Sequence, residues 1–238
     1  MSFVRGAIIQ YMDTFLIPLP NVIVFQYNPE SITHSWSQVD PVSDDDGNVV
    51  NPLSVKSMPG ESFSMTIAVD ATDMIADGSV VARGIAEVSG VYTRLAALEM
   101  LLFPTKEGGD EGLVGQVSIS VSADGISAGA SAEKEERPVP AMQAPVALFV
   151  WGLGRIVPVR VTSLTVTEKI YDSLLNPTHA EAQLDMRVLT PDELEALPEG
   201  LIKDIANVAY KYSQGLREAL AIANLANSAE SSIGMLPI

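Results

Sequence analysis

Residues 178–188 read Thr-His-Ala-Glu-Ala-Gln-Leu-Asp-Met-Arg-Val, and no other stretch constrains the fold as tightly. Ala180, Ala182, Leu184, Met186 and Val188 alternate with His179, Glu181, Gln183, Asp185 and Arg187. A period of two puts every apolar side chain on one face, so the segment is a strand with one buried and one wet side. Such half-buried strands belong to antiparallel sheets, whereas parallel sheets are covered on both faces. The stretch ESFSMTIAVD repeats the pattern, with Phe63, Met65, Ile67 and Val69 set against Ser62, Ser64, Thr66 and Ala68.

Further strands follow from composition and punctuation. Val22 to Tyr27 and Ser31 to Ser37 read as two short strands around the turn signal Asn28-Pro29-Glu30. Pro145 to Trp151 reads as a buried strand. Beyond it Val157, Val159 and Val161 share one face while Leu164 and Val166 are offset by one position, which requires a bulge or bend near Thr162-Ser163. The period lengthens between Arg83 and Phe103, where Ile85, Val88, Val91, Leu95, Leu98 and Leu102 predict one amphipathic helix closed by Pro104. Thr190-Pro191-Asp192-Glu193 is a capping-box helix start. Past Pro198, the stripe Leu201, Ile205, Val208, Tyr212, Leu216, Leu220 and Ala223 predicts a helix whose apolar face needs something to cover it.

The expected fold is α+β: two antiparallel sheets, as a sandwich or open barrel, with one packed helix. Residues 1–190 form the β domain, interrupted by an insertion at 105–144 that carries a hairpin around Val117, Ile119 and Val121. Residues 191–238 form a C-terminal helical extension.

Charge and composition narrow the function. A formal charge of -16 disfavours a nucleic-acid groove, which must supply Lys and Arg to displace counterions. Without cysteine there are no disulfides, thiolate metal sites or thiol nucleophiles. No run reaches the roughly 20 apolar residues of a membrane-spanning helix. The first residues, MSFVRGAIIQYMD, are too weakly apolar for a secretion signal, so a cytoplasmic origin is expected.

Several short motifs suggest chemistry. Gly152-Leu153-Gly154 lacks the third glycine and following helix of a dinucleotide fingerprint, and reads instead as a hairpin turn. Gly125 to Gly129, GISAG, matches the nucleophile-elbow pattern with Ser127 at its centre, and His179 could be its base only if an outward strand position faced it. An elbow requires a strand-to-helix turn, and no helix pattern begins at Ser127. Asp44 to Asn48, DDDGN, resembles a calcium loop, but Val42 and Leu53 would occupy ligand positions that neither can fill. His34 shares a strand face with Trp36 and has no carboxylate close by in sequence. Trp151 reads as core. Catalytic, cofactor and metal residues are therefore all expected to be absent, and a carbohydrate-binding module is disfavoured by an aromatic content of 6%.

Two stretches, VFQYNPESIT and PVALFVWG followed by VPVRVTSLTVTEKIYDSLLNPTHAEAQLDMRVLTPDEL, resemble the tube-protein family of contractile injection systems, the phage-tail-like devices of bacteria. The resemblance is carried by Phe25, Asn28, Pro29 and Glu30, by Phe149, Val150, Trp151 and Gly152, by Pro158, Val159, Thr162 and Leu164, and by Asn176, Pro177 and Ala180. It implies a tail-tube fold, with subunits joined edge to edge in a homo-hexameric ring whose sheets line a lumen. The LysM module of many members is not found in these residues, and the 105–144 insertion is longer than usual. The expected role is thus a non-enzymatic adaptor ring on one end of the inner tube, touching the tube ring on one side. The other side would touch a cap protein or, at the opposite end, spike and baseplate proteins, and possible contact with the sheath stays open. The cap end is favoured because the usual baseplate feature is missing. The alternatives are a repeating tube subunit and, from another class, a serine hydrolase acting through Ser127.

Overall fold

The long alternating segments pair as their spacing requires. The structure is a computed structural model that describes residues 4–12, 19–38, 51, 53–55, 57–77, 89–103, 117–122, 125–130 and 144–235. Strands β1 (Ala7–Met12), β2 (Leu19–Val24), β3 (Ile32–Ser37), β4 (Gly60–Asp70), β7 (Ala147–Val150), β8 (Ile156–Tyr171) and β9 (Pro177–Val188) form one antiparallel sheet. Its order is β2-β1-β7-β8-β9-β4-β3. Among the described residues strands β5 (Val117–Ser122) and β6 (Gly125–Ala130) pair only with each other, as the hairpin expected within 105–144. The helices are α1 (Ala71–Asp77), α2 (Tyr92–Glu99), α3 (Pro191–Glu195) and α4 (Leu201–Met235).

The bulge falls where the offset in β8 demands it. Val161 pairs with Met186 and Ser163 with Asp185, so Thr162 is the extra residue, and its hydroxyl donates to the Asp185 carbonyl at 3.0 Å. That one-residue slip turns Leu164 and Val166 back to the core after Val157, Val159 and Val161.

The main strands are joined in one curled sheet in place of the two expected sheets. Phe63 of β4 and Phe149 of β7 have ring centroids 5.2 Å apart although β8 and β9 lie between them. Across a flat sheet the three strand steps would separate those positions by about 14 Å. Curling therefore lets the apolar face close on itself, and Ile8, Phe25, Met65, Val159, Leu184 and Met186 share one buried cluster. The end of β2 is thereby carried to the end of β4. There the Gln26 side-chain amide donates to the Asp70 carbonyl at 2.9 Å and accepts from the Asp70 N–H at 3.0 Å, filling in for a missing strand. β2 and β3, close in sequence, consequently lie at opposite margins.

The helix expected over Arg83 to Phe103 is shorter within the described residues, and its portion at 83–88 lies outside them. Gly90 adopts φ +56°, and a Cβ there would stand 2.2 Å from the Pro177 carbonyl oxygen, which accepts from the Val91 N–H. The chain turns at that contact and α2 starts afresh at Tyr92. Val91, Leu95 and Leu98 are buried as expected, but Leu102 is exposed because the helix ends at Glu99 and the following turn buries Leu101 instead. α1 was not signalled by any periodic run.

The expected capping box closes α3: the Thr190 N–H donates to Glu193 and the Glu193 N–H to the Thr190 hydroxyl. α4 turns a different face to the sheet from its apolar stripe. It lies on the sheet through Ala206, Ala209 and Ser213, and the Ser213 hydroxyl bonds both backbone groups of Ile156. Small residues let the helix axis approach β8 closely, while Leu201, Val208, Tyr212 and Leu220 from the apolar stripe remain exposed.

Because Phe149 sits where the curl brings distant strands together, Phe149→Ala should cost about 3–5 kcal/mol of stability. Urea denaturation followed by tryptophan fluorescence measures this, and a loss below about 1 kcal/mol would mean that the curl does not depend on this ring.

Candidate interaction surface

Strand β3 is the margin beyond β4, and among the described residues β4 is its one strand partner. Thr33, Ser35 and Ser37 face outward beside Ser62 and Ser64 of β4, and together they line an open groove with Asp185 and Arg187 of β9. His34 and Trp36 lie on the other face, as their two-residue spacing implies, with rings 3.7 Å apart. His34 also stacks on Phe63 at 4.1 Å, whereas Trp36 stays 57% exposed.

The register of β3 against β4 brings Trp36 opposite Glu61 and His34 opposite Phe63. Glu61 is 6% exposed, and one carboxylate oxygen accepts from both His34 Nε2, at 2.6 Å, and the Arg217 guanidinium. A buried carboxylate without such partners would be costly, so the pair of donors is what allows it there. Arg155, from the turn before β8, lies over the Phe63 ring at 5.2 Å. Edge strand, turn and α4 are thus fastened at one node. Burial pushes the His34 imidazole below its ordinary pKa, outweighing the favourable Glu61 carboxylate. Sequence spacing missed this node because its members are far apart in the chain; only the β3–β4 register could have exposed it.

The other candidates lie apart from the node. Gly152, with φ +69°, and Gly154 form the β7–β8 hairpin turn, closed by the Trp151 N–H to Arg155 carbonyl bond at 2.8 Å. Trp151 packs against the core. Ser127 lies inside strand β6, opposite Ser120, so the strand-to-helix turn of an elbow is not formed at it. His179 on β9 contacts the Asp70 carboxylate at 3.1 Å. Burial alone would raise that carboxyl, but hydrogen bonds from His179 and Thr72 hold it below its ordinary value. The acidic run 44–48 lies outside the described residues. Among the described residues there is no group of three His, Cys, Asp or Glu side chains able to hold a metal, and no helix long and apolar enough to cross a membrane.

The His34 shift has a definite sign. As pH falls through the ordinary value of 6.5, the unfolded chain takes up the proton first, so stability drops until the folded-state value is passed. Between pH 7 and pH 5 the His34→Gln variant should lose this slope, which for one proton is at most about 1.4 kcal/mol per pH unit. Urea titrations at stepped pH would show it, and an unchanged slope would locate the coupling elsewhere. No family model matches this chain and no curated protein matches it.

Proposed function

We propose that this protein is a structural adaptor of a phage-tail-like contractile injection system, forming a homo-hexameric ring that ends the inner tube. The observation that carries this reading is the character of the two sheet margins. In a chain with 30 acidic residues, neither Leu19–Val24 nor Ile32–Ser37 contains a carboxylate. Unpaired strand margins invite association, and proteins that stay apart usually guard them with charge. Among the described residues β3 carries no such guard and β2 only the Arg94 guanidinium at its Val24 end, and Val22, Val24 and Trp36 stand exposed on them. A sheet with two unlike margins joins head to tail, a heterologous contact that closes into a ring when the rotation permits.

The rest of the surface agrees with such a role. The outer faces of β4 and β9 carry Ser62, Ser64, Thr66, Gln183, Asp185 and Arg187, a polar lining that would suit a tail-tube-like lumen. α4 runs on from 218 to 235 past the Arg217–Glu61 bond, which supports a ring whose far face meets a different protein rather than another tube ring. That favours the cap end, with the baseplate end as the alternative site for the same ring.

Electron micrographs of the purified protein test the reading. Rings with sixfold symmetry are expected, and filaments would instead indicate a repeating tube subunit. Ser35→Glu places a carboxylate on the unguarded margin and should abolish the rings while leaving the circular dichroism of the subunit unchanged. Rings that persist in this variant would remove β3 from the interface.

A further inference from the structure

The face of α4 turned away from the sheet has a register of its own. From Leu201 the spacing alternates four and three residues through Ile205, Val208, Tyr212, Gly215, Ala219 and Ile222, and the same alternation continues to Ile233. A repeat of 3.5 residues is the pattern of a helix that lies along another helix, not of one that lies on a sheet. Among the described residues most of this seam is open: Val208 and Ile222 are each 67% exposed, and Tyr212, 47% exposed, is held at its tip, where the hydroxyl donates to the Leu153 carbonyl at 2.8 Å, while Ala206, Ala209 and Ser213 on the adjoining face are buried. Arg217 bonds Glu61 of the body, and the helix then continues from 218 to 235, about 27 Å at 1.5 Å per residue.

We propose that the seam is covered by the same seam of a second copy of this chain, running antiparallel. The register is self-complementary in that direction. Tyr212 meets Gly215 and Val208 meets Ala219, each larger side chain against a smaller one, and Ile205 meets Ile222. In parallel pairing Tyr212 would face Tyr212 and Gly215 would face Gly215, crowding one layer and hollowing the next. Charge points the same way. Antiparallel pairing sets exposed Lys211 beside Glu218 of the other copy, twice in each pair, and residues 219–229 contain no charged residue. Copies that each carry a net charge of -16 repel over much of their surface, and the uncharged run along this seam contributes little to that repulsion. The contact is isologous, joining two chains or two rings face to face, and it does not depend on the ring reading.

The absence of native cysteine makes a clean test possible. Under mild oxidation the double variant Val208→Cys/Ala219→Cys should give a disulfide-linked species at twice the 25.3 kDa chain mass, and neither single variant should. Within one helix these two positions are about 16 Å apart, beyond the reach of a disulfide. Adding Ile222→Glu to the double variant should abolish the linked species, with circular dichroism confirming that each variant is folded. Cross-linking by Val208→Cys alone would mean parallel pairing, and a folded double variant that stays unlinked would mean an open seam; either result overturns the proposal. Micrographs of the same samples read the ring independently: rings without the link reject the helix pairing alone, and the link without rings rejects the ring alone.

Discussion

A chain of aromatic contacts running from one margin of the sheet to the other sets the shape of this protein. Phe25, just beyond β2, lies 6.4 Å from Trp151, which lies 6.3 Å from Phe149. Phe149 meets Phe63, Phe63 meets His34, and His34 meets Trp36 on β3. A half-buried sheet must cover its apolar face, usually with a second layer. Here the rings draw the strands around so that the face covers itself, with α2 filling the gap near β2. Each such pair adds about 0.5–1.5 kcal/mol beyond the area it buries. Closure remains incomplete: Gln26 and the Arg94 guanidinium, which donates to the Val24 carbonyl at 3.1 Å, secure one end of β2, while the margin at β3 stays outside.

Features that depend on neighbouring residues were legible in the sequence. The alternation of β4 and β9, the bulge at Thr162, the turn at Gly152 and the capping box at Thr190 each follow from local spacing or local backbone chemistry. Features that depend on distant contacts were not. The helix break at Gly90 is enforced by the carbonyl of Pro177, far along the chain, and no periodicity at Gly90 reports it. The separation of β2 from β3 follows from the curl, which needs all seven strands before it exists.

The stripe of α4 was legible in the sequence, but not which face of the helix meets the sheet. A hydrophobic stripe suggests a buried face, but the face against β8 is built from Ala206, Ala209 and Ser213, chosen for closeness rather than apolarity. The strongest stripe is therefore what remains available to a partner. Glu61 links that helix to the sheet margin, because its carboxylate accepts from Arg217 at the point where α4 leaves the body and from His34 on β3. The two uncovered features, margin and helix, share one buried carboxylate and are held at a fixed geometry to each other. Displacing either would leave Glu61 short of a donor, a cost far above that of an exposed ion pair.

Backbone amide hydrogen exchange over β3, compared between assembled and dissociated protein, tests the central claim most directly. If the margin is completed by a neighbouring subunit, the amides of residues 32–37 that do not bond to β4 should exchange freely in the dissociated chain and become strongly protected on assembly. Equal exchange in both states would contradict the account.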